Sequence, residues 1–499
     1  MILSMNTQTI FVGLVIGLLV YYVIKRMRYR LPPGPWCIPL IGHYNVYTAA
    51  DLHRKVYEIS KDYGPVVRLS FGPVMVIVLN DIQVALEALI KKKTDFAGRP
   101  KMKSGDAFSG GGKDIAMSNY SPTWKFHRRI AGKALRHYLQ GDLLEQMIQD
   151  NMNKFLDKMA QEKEPFSFKY YSNLMVFHQI YTICFGEKRC VDDQEVKTIL
   201  QLDEELNDHV AKGFLEDIIP YMDTIYPSHN WQAFVKKMDQ IIDYTRGKFK
   251  QHVDTFDPGV NRDFIDSMLI ARQEAENEGD EAVLEKLDDI YLIHTVVDIF
   301  FAGLDTTRFT MDWFMYFMTS FPEIQSKCHE EIDREVGSEH PSMKHRNKLP
   351  YLEACMFETM RLGAAVGLGI AHMSICDSQI GGYDIPKDTM VIINHWALHH
   401  DPKYWKDPEK FDPHRYLDEN GKMKPARPDS WLPFSAGRRV CLGETLAKPE
   451  ILLMCANLLK RFDIRLPEGV KPNLEHHIWG NGIELPSEYK IVVQERNGQ

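Results

Sequence analysis

The sequence predicts a single mainly α-helical body with small β-sheets, preceded by one transmembrane helix. Three observations lead there. From Pro122 to about Met318 the apolar residues recur with helical spacing, broken by the acidic stretch EAENEGDEAVLEK. Strand-like runs are few and short: VVRLSF from Val66, VMVIVL from Val74 and TMVIIN from Thr389. A chain of 499 residues with neither an internal repeat nor a long linker is most economically one large body.

The elements follow in chain order. Ile10 to Ile24 reads IFVGLVIGLLVYYVI without a charge, and Thr7 to Thr9 extend it toward the roughly 18 to 20 residues of a bilayer span. Lys25, Arg26, Arg28 and Arg30 follow at once and favour the cytoplasmic side. The segment lacks the basic start and small-residue cleavage site of a removable signal, so residues 1–30 read as an uncleaved anchor with its basic stop. Residues 31–499 then form the cytoplasmic body. It opens on LPPGPW, Leu31 to Trp36, whose prolines favour an extended, stiff spacer. The two strand runs flanking Gly72 and Pro73 read as a hairpin. After Met373 the chain turns irregular and proline-rich, and a last apolar helix is expected from about Thr445 to Leu459.

Composition excludes several functions. With 44% hydrophobic residues, 11% aromatic residues and a net charge of -8, the chain is globular and lacks the positive field of a nucleic-acid binder. Eight cysteines without a C-x-x-C or regular spacing suggest reduced thiols, not a disulfide framework or a zinc finger. SGGGK at Ser109 to Lys113 is no phosphate loop: Ala107 breaks the glycine spacing and Asp114 stands where Ser or Thr is required. It reads as a mobile loop. His395 and His399 have a metal-like spacing but no third ligand, and read as a surface cluster.

One loop carries chemistry. In FSAGRRVCLG, Phe434 to Gly443, Cys441 has no second cysteine or histidine at short spacing, so a metal held here takes one protein ligand. Haem iron meets that condition, because the porphyrin fills four positions and a thiolate in the fifth favours breaking the oxygen–oxygen bond. Gly437 then permits a tight turn and Gly443 a close backbone approach, with N–H groups aimed at the sulfur. Arg439 is placed to pair with a carboxylate such as a haem propionate. A bare G-x-R-x-C would more often be a buried cysteine beside a solvated turn. The fuller pattern of Phe434, Gly437, Arg439, Cys441 and Gly443 arises by chance about once in ten thousand chains of this length. It resembles, at every fixed position, the F-x-x-G-x-R-x-C-x-G haem-ligand signature of the cytochrome P450 superfamily of haem-thiolate monooxygenases.

Three constellations support the resemblance. Glu358 and Arg361 in ETMR lie one turn apart among Leu352, Met356, Phe357, Met360 and Leu362, where a buried pair needs a third group. Glu331 and Arg334 share that spacing and read as an exposed pair. Pro413 to Tyr416 resembles the family's P-E-R-F element, with His414 in place of Glu, which implies that Arg415 completes the brace. In FFAGLDTT, Gly303 costs a helix interior roughly 1 kcal/mol against alanine and opens a groove for oxygen. Thr306 can donate to that oxygen or merely bond its own helix, and Asp305 can relay protons. The stretch from Ala302 and Gly303 onward is similar to the family's A-G-x-[DE]-T-T. Trp124 and Arg128 resemble its W-x-x-x-R propionate contact, and His372 in GIAHM resembles another. His127, Arg129 and Lys133 nearby read as a solvated face open to an acidic redox partner.

The resemblance implies the cytochrome P450 fold, with haem b between the FFAGLDTT helix and the Cys441 loop. It implies use of O2 and of NADPH-derived electrons. Since no dinucleotide fingerprint is present, those electrons come through a partner, NADPH-cytochrome P450 reductase, with cytochrome b5 as a second. It also implies a single-pass protein of the endoplasmic reticulum membrane in contact with lipid. VIINHWALHHDPKYWKDPEKFDPHRYL, and GRPKM through WKFHRR, look most like the animal branch containing steroid 17-alpha-hydroxylase and its aryl-hydrocarbon-hydroxylating relatives. Gly363 and Ala364 replace the usual Arg-Pro after E-x-x-R-L, and Phe301 replaces a frequent Gly. The implied pocket segments are Lys101 to Ile115, Leu206 to Phe214, Val366 to Ile370 and His476 to Ile483. The expected reaction is oxygen insertion into a C–H bond of a lipophilic substrate, a steroid first, with xenobiotic, aromatic or fatty-acid hydroxylation as the alternative. A haem-thiolate isomerase or a non-catalytic haem-binding protein are the other classes.

Overall fold

Helices build most of the body, and each starts or stops where the local chemistry requires. The computed structural model describes residues 28–38, 41–139, 142–187, 193–279, 285–472, 476–480 and 482–496, together with Gly13 and Gly17. The expected membrane anchor therefore lies almost wholly outside the described residues. Helix α1 (Leu52–Tyr63) leads into β1 (Val66–Phe71) and β2 (Val74–Leu79), which pair antiparallel with Val66 opposite Leu79 and Phe71 opposite Val74. This is the expected hairpin, turned at Gly72 with φ 57°. The proline segment before it is more than a spacer. Arg68 N donates to Pro33 O at 2.8 Å, and a Cβ on Gly34 would fall 1.9 Å from Arg68 O, so the segment is pressed along β1.

The expected helical run follows. It comprises α2 (Lys103–Ser109), α3 (Pro122–His137), α4 (Leu143–Ala160), α5 (Phe168–Phe185), α6 (Gln194–Ala211), α7 (His229–Asp254), α8 (Phe264–Glu278) and α9 (Asp289–Ser320). Ser121 caps α3 by accepting from Trp124 N with Pro122 in the first turn, and Ser228 caps α7 in the same way. Gly186 ends α5 and Gly279 ends α8, both in left-handed backbone. The acidic stretch begins inside α8, where Glu274 to Glu278 prolong the helix on an exposed end. The SGGGK segment is a specified turn: Gly110, Gly111 and Gly112 all have positive φ, and Gly110 packs directly on the His294 ring of α9.

Beyond α9 come α10 (Pro322–Val336), α11 (Pro350–Gly363), α12 (His395–His400) and α13 (Glu444–Arg461). The short strands β3 (His372–Met373) and β6 (Met390–Ile393) join the hairpin in a four-stranded sheet of order β1-β2-β6-β3, with β2 and β6 parallel. β4 (Ser378–Ile380) pairs with β5 (Tyr383–Ile385), β7 (Phe462–Arg465) with β10 (Val492–Glu495), and β8 (His476–Gly480) with β9 (Ile483–Pro486). Among the described residues α9 is the one helix long and apolar enough to cross a membrane, and it is instead the core of the fold, packed on α5, α11 and α13. Two side-chain expectations change. Glu331 is buried and accepts from Tyr351 N and Leu352 N, both at 2.9 Å, because the start of α11 needs its orphan N–H groups satisfied; Arg334 alone is exposed. His395 and His399 are buried on α12 instead of exposed, and His399 Nε2 accepts from Leu432 N at 3.0 Å.

Candidate functional site

Cys441 lies between a 3-10 turn (Gly437–Arg439) and the N-terminus of α13. Protein surrounds it closely, yet its side chain is accessible, which happens when a residue faces an internal cavity. Burial raises the thiol pKa, while the backbone N–H groups of Gly443 and Glu444 and the Arg128 guanidinium lower it. These are the donors a thiolate needs, as the sequence suggested. The loop is fixed by Cys441 N donating to Phe434 O at 2.9 Å. Gly437 has φ 75°, and any Cβ there would lie 1.9 Å from Leu89 O. Gly443 is less constrained: its Cβ would stand 3.9 Å from the Cys441 sulfur.

The wall of the cavity comes from α9. Phe301 and Leu304 are buried, but Ala302 between them is exposed in the middle of a core helix, which requires open space beside it. Thr306, one turn on, shares that face and donates to Ala302 O at 2.7 Å. Its proton is thus engaged, and the hydroxyl oxygen is what it offers the cavity, the reverse of the expected donor role. Gly303 also has a packing role: a Cβ there would meet Ile180 Cδ1 at 2.7 Å, so the missing side chain allows close approach of α9 to α5. Asp305 turns away from the solvent, ion-paired to Arg308 at 2.8 Å and accepting from Asn207 at 2.8 Å. Gly363 has a similar packing cause, since a Cβ would strike the Trp313 indole at 2.7 Å.

A cluster of cations lines the other side. Arg439 is buried and donates to Ala97 O at 2.8 Å and Ser118 O at 2.6 Å, with its guanidinium 4.1 Å from the Trp124 ring. Arg128 donates to Val440 O. Arg99, which sequence reasoning missed, donates to Ala116 O at 2.8 Å and Ala371 O at 2.8 Å. Among the described residues none of these arginines has a carboxylate partner within ion-pair distance. Burial lowers Arg439 to about 8, with Arg99 and Arg128 repelling it further, and burial lowers Arg99 to about 10. A guanidinium does not surrender its proton, so these depressions measure an unmet demand for anions. The two propionates of a haem would meet it. His372 lies beside the cluster as a neutral imidazole, its Nδ1 donating to Phe96 O at 2.8 Å and its pKa lowered to about 3 by burial and by Arg99. Trp124 sits under Arg439, but its indole N–H is committed to Ile115 O at 2.9 Å, so it supports the arginine by stacking.

The 110–119 loop links the two sides. Asp298 Oδ2, on α9, accepts from Ile115 N at 2.7 Å and Ala116 N at 3.1 Å, while the carbonyls of the same loop receive Arg99, Trp124 and Arg439. An acid in an otherwise apolar helical run was the signal for Asp298; Arg99 had none beyond a lone cation before Pro100. Nearby His127 is buried and stacked at 4.9 Å on Tyr291, with burial lowering it to about 4, so of the expected basic face only Arg129 and Lys133 are exposed. Behind the cysteine loop the brace forms as expected. Arg361 donates twice to Glu358, at 2.8 and 2.9 Å; Arg415 adds 3.0 Å and Tyr416 3.1 Å; Glu358, Arg361 and Tyr416 are buried, and Arg415 is partly so. A cleft of about 610 Å³ lined by Thr319, Gln325, His329 and Asp463 lies at the far end of α9, about 20 Å of helix beyond Thr306, and is separate from this site.

A helical fold presenting one cysteine sulfur under an apolar helix face, beside buried arginines without a carboxylate partner among the described residues, fits a haem-thiolate protein. The chain belongs to the cytochrome P450 family, whose pattern matches residues 32–493. Membership implies haem, dioxygen and an electron donor. The chain is 35% identical over 477 residues to a steroid 17-alpha-hydroxylase/17,20 lyase of Squalus acanthias, covering 94% of this chain and 92% of that one. It is 37% identical over 452 residues to the protein of the same name from Gallus gallus, covering 88% and 87%. Among solved structures it resembles a zebrafish cytochrome P450 with progesterone, at TM-score 0.79 and 29% identity, over 89% of this chain and 99% of that one.

Proposed function

We propose that this chain is a membrane-anchored monooxygenase that hydroxylates a steroid at or near C17, with electrons from NADPH-cytochrome P450 reductase. The observation that carries the steroid reading is the set of steroid 17-alpha-hydroxylase/17,20 lyases, 31 to 37% identical along 82% or more of both chains. When bound, haem b supplies activation of dioxygen, one atom entering a C–H bond and the other leaving as water. The protein does the rest. Cys441 would hold the iron, with Gly443 N–H and Glu444 N–H stabilising the charge on its sulfur. Arg99, Arg128, Arg439 and His372 would hold its propionates. Ala302 keeps a small face toward the reacting carbon, and Phe301 and Ile115 supply the buried apolar surroundings. Thr306 accepts and passes on protons delivered by Asp305.

Purified holoenzyme reconstituted with the reductase is expected to hydroxylate progesterone and pregnenolone and to shift its haem absorption on binding them. Thr306→Ala is expected to raise NADPH consumed per product about tenfold. If neither steroid changes the spectrum or yields product, the steroid reading fails; turnover on a lipid peroxide without NADPH would mark an isomerase instead.

A further inference from the structure

The acid expected to relay protons is itself fed by a second one. Asp305 is engaged on both oxygens: one pairs with Arg308 Nη2 at 2.8 Å and the other accepts from Asn207 Nδ2 at 2.8 Å. The same two groups reach Asp203 on α6. Asn207 Nδ2 lies 3.2 Å from Asp203 Oδ1, and Arg308 Nη2 lies 3.7 Å from Asp203 Oδ2. Asp203 is fully buried, and Arg308 is nearly so. Two carboxylates thus face a single guanidinium. Within the trio, Asp203 Oδ2 receives no hydrogen bond from the protein, and Asp305 Oδ1 meets only the Arg308 guanidinium.

One shared proton satisfies both oxygens and leaves the trio neutral. Two buried carboxylates at one cation would keep an uncompensated charge in a low-dielectric setting. The neighbours do not supply a second cation. Around the trio α5 contributes Asn173, which accepts from Arg308 at 3.0 Å, and Lys169, which is committed to Glu204 of α6 at 3.1 Å; α9 adds only Asp312, bonded by Ser172. Burial first, then the Asp305 charge, raises the Asp203 pKa well above the ordinary carboxylate range, which agrees with Asp203 as the holder.

We propose that Asp203 is the second acid of the proton relay, and that Arg308 positions whichever of the two carboxylates is charged. This rests on the monooxygenase reading. The O–H bond of Asp203 breaks as one forms on Asp305, and the negative charge moves to Asp203. Arg308 follows that charge. Asp305, now neutral, is released from its ion pair and turns toward Thr306 to deliver the proton into the cavity, and water returns a proton to Asp203. Because Asp203 and Asn207 belong to α6 while Asp305 and Arg308 belong to α9, the supply depends on how α6 lies on α9.

The test uses reconstituted holoenzyme with progesterone, reductase and NADPH. Asp203→Asn is expected to lower product per NADPH about tenfold, to raise hydrogen peroxide release and to enlarge the solvent deuterium isotope effect. Asp203→Glu, which keeps an acid, is expected to restore most of the coupling. The NADPH-driven rate should fall more than the peroxide-driven rate, since peroxide brings its own protons. A haem-loaded Asp203→Asn with wild-type coupling and isotope effect overturns the proposal. Should that variant not load haem, Arg308→Lys decides: a folded variant with unchanged coupling overturns it equally. If wild type makes no steroid product, the steroid reading falls, and the relay is judged on peroxide released per NADPH.

Discussion

A methyl group on Gly437 would sit 1.9 Å from the Leu89 carbonyl oxygen, in a backbone held at φ 75°; one on Gly443 would rest 3.9 Å from the Cys441 sulfur with nothing else near. The two glycines look equivalent in the motif, and their energetic roles differ. Gly437→Ala must both leave its left-handed turn and push back the Leu89 backbone, at a cost of about 3 kcal/mol or more. Gly443→Ala, at φ -81°, is expected to change stability by less than about 1 kcal/mol. Chemical denaturation and the ratio of haem to protein check both, and equal stability of Gly437→Ala and wild type would mean the loop does not press on Leu89. Cys441 and its loop were legible because motif and function share ten consecutive residues. Arg99 was not, because its role arises only where the segment before α2, the 110–119 loop and β3 converge. Gly303 was legible as a glycine with a purpose, but helical spacing alone could not say that the purpose was Ile180.

Between elements, buried ion pairs decide how helices meet, and the α7–α8 junction is the clearest case. His252 near the end of α7 lies 2.7 Å from Asp263, the residue that caps α8, whose other oxygen accepts from Asp266 N at 2.9 Å. Arg262 grips Asp266 with two nitrogens, so the acids of this cluster are already partnered and hold the junction instead of a metal. Burial alone would lower the His252 pKa, and the Asp263 carboxylate outweighs it, so the folded value is raised. A raised folded pKa contributes its stability in full below the unfolded value and loses it as pH climbs through the folded one. The melting-temperature advantage of wild type over His252→Gln is therefore expected to be largest near pH 6 and to shrink above about pH 8. An advantage independent of pH would show that the imidazole is neutral in the fold. Element positions themselves were well anticipated, since hairpin, α9 and α13 follow from local periodicity. Glu331 and the buried His395 and His399 were not, because a charged or polar residue reads as exposed until a helix start or a backbone N–H from elsewhere arrives to use it.

Across the whole molecule the exposed apolar surface is unevenly placed. Trp36, Ile38 and Tyr44 precede α1, and Tyr221, Ile225 and Tyr226 lie between α6 and α7, with Ile225 and Tyr226 79 and 80% exposed. The two segments adjoin: Tyr47 donates to Phe214 O at 3.2 Å, and Ile218 packs on the Gly72 turn of the hairpin. Large apolar side chains exposed on two adjoining segments, the first of which follows the expected anchor in sequence, make a surface that water disfavours and a bilayer interface accepts, tyrosine and tryptophan being suited to the headgroup layer. Neither segment supplies a packed partner for the other's exposed side chains, so the patch is not an unfinished core. If it contacts lipid, a chain beginning at Leu31 should still float with phosphatidylcholine vesicles, and Ile225→Glu with Tyr226→Glu should reduce that partition by at least about tenfold. The same double variant should keep its haem spectrum, since both residues lie far along the chain from the cysteine loop and are bonded to nothing in the site. No flotation of the shortened chain would assign all membrane affinity to the segment before Leu31, and flotation unchanged by the double variant would assign it to another surface of the body.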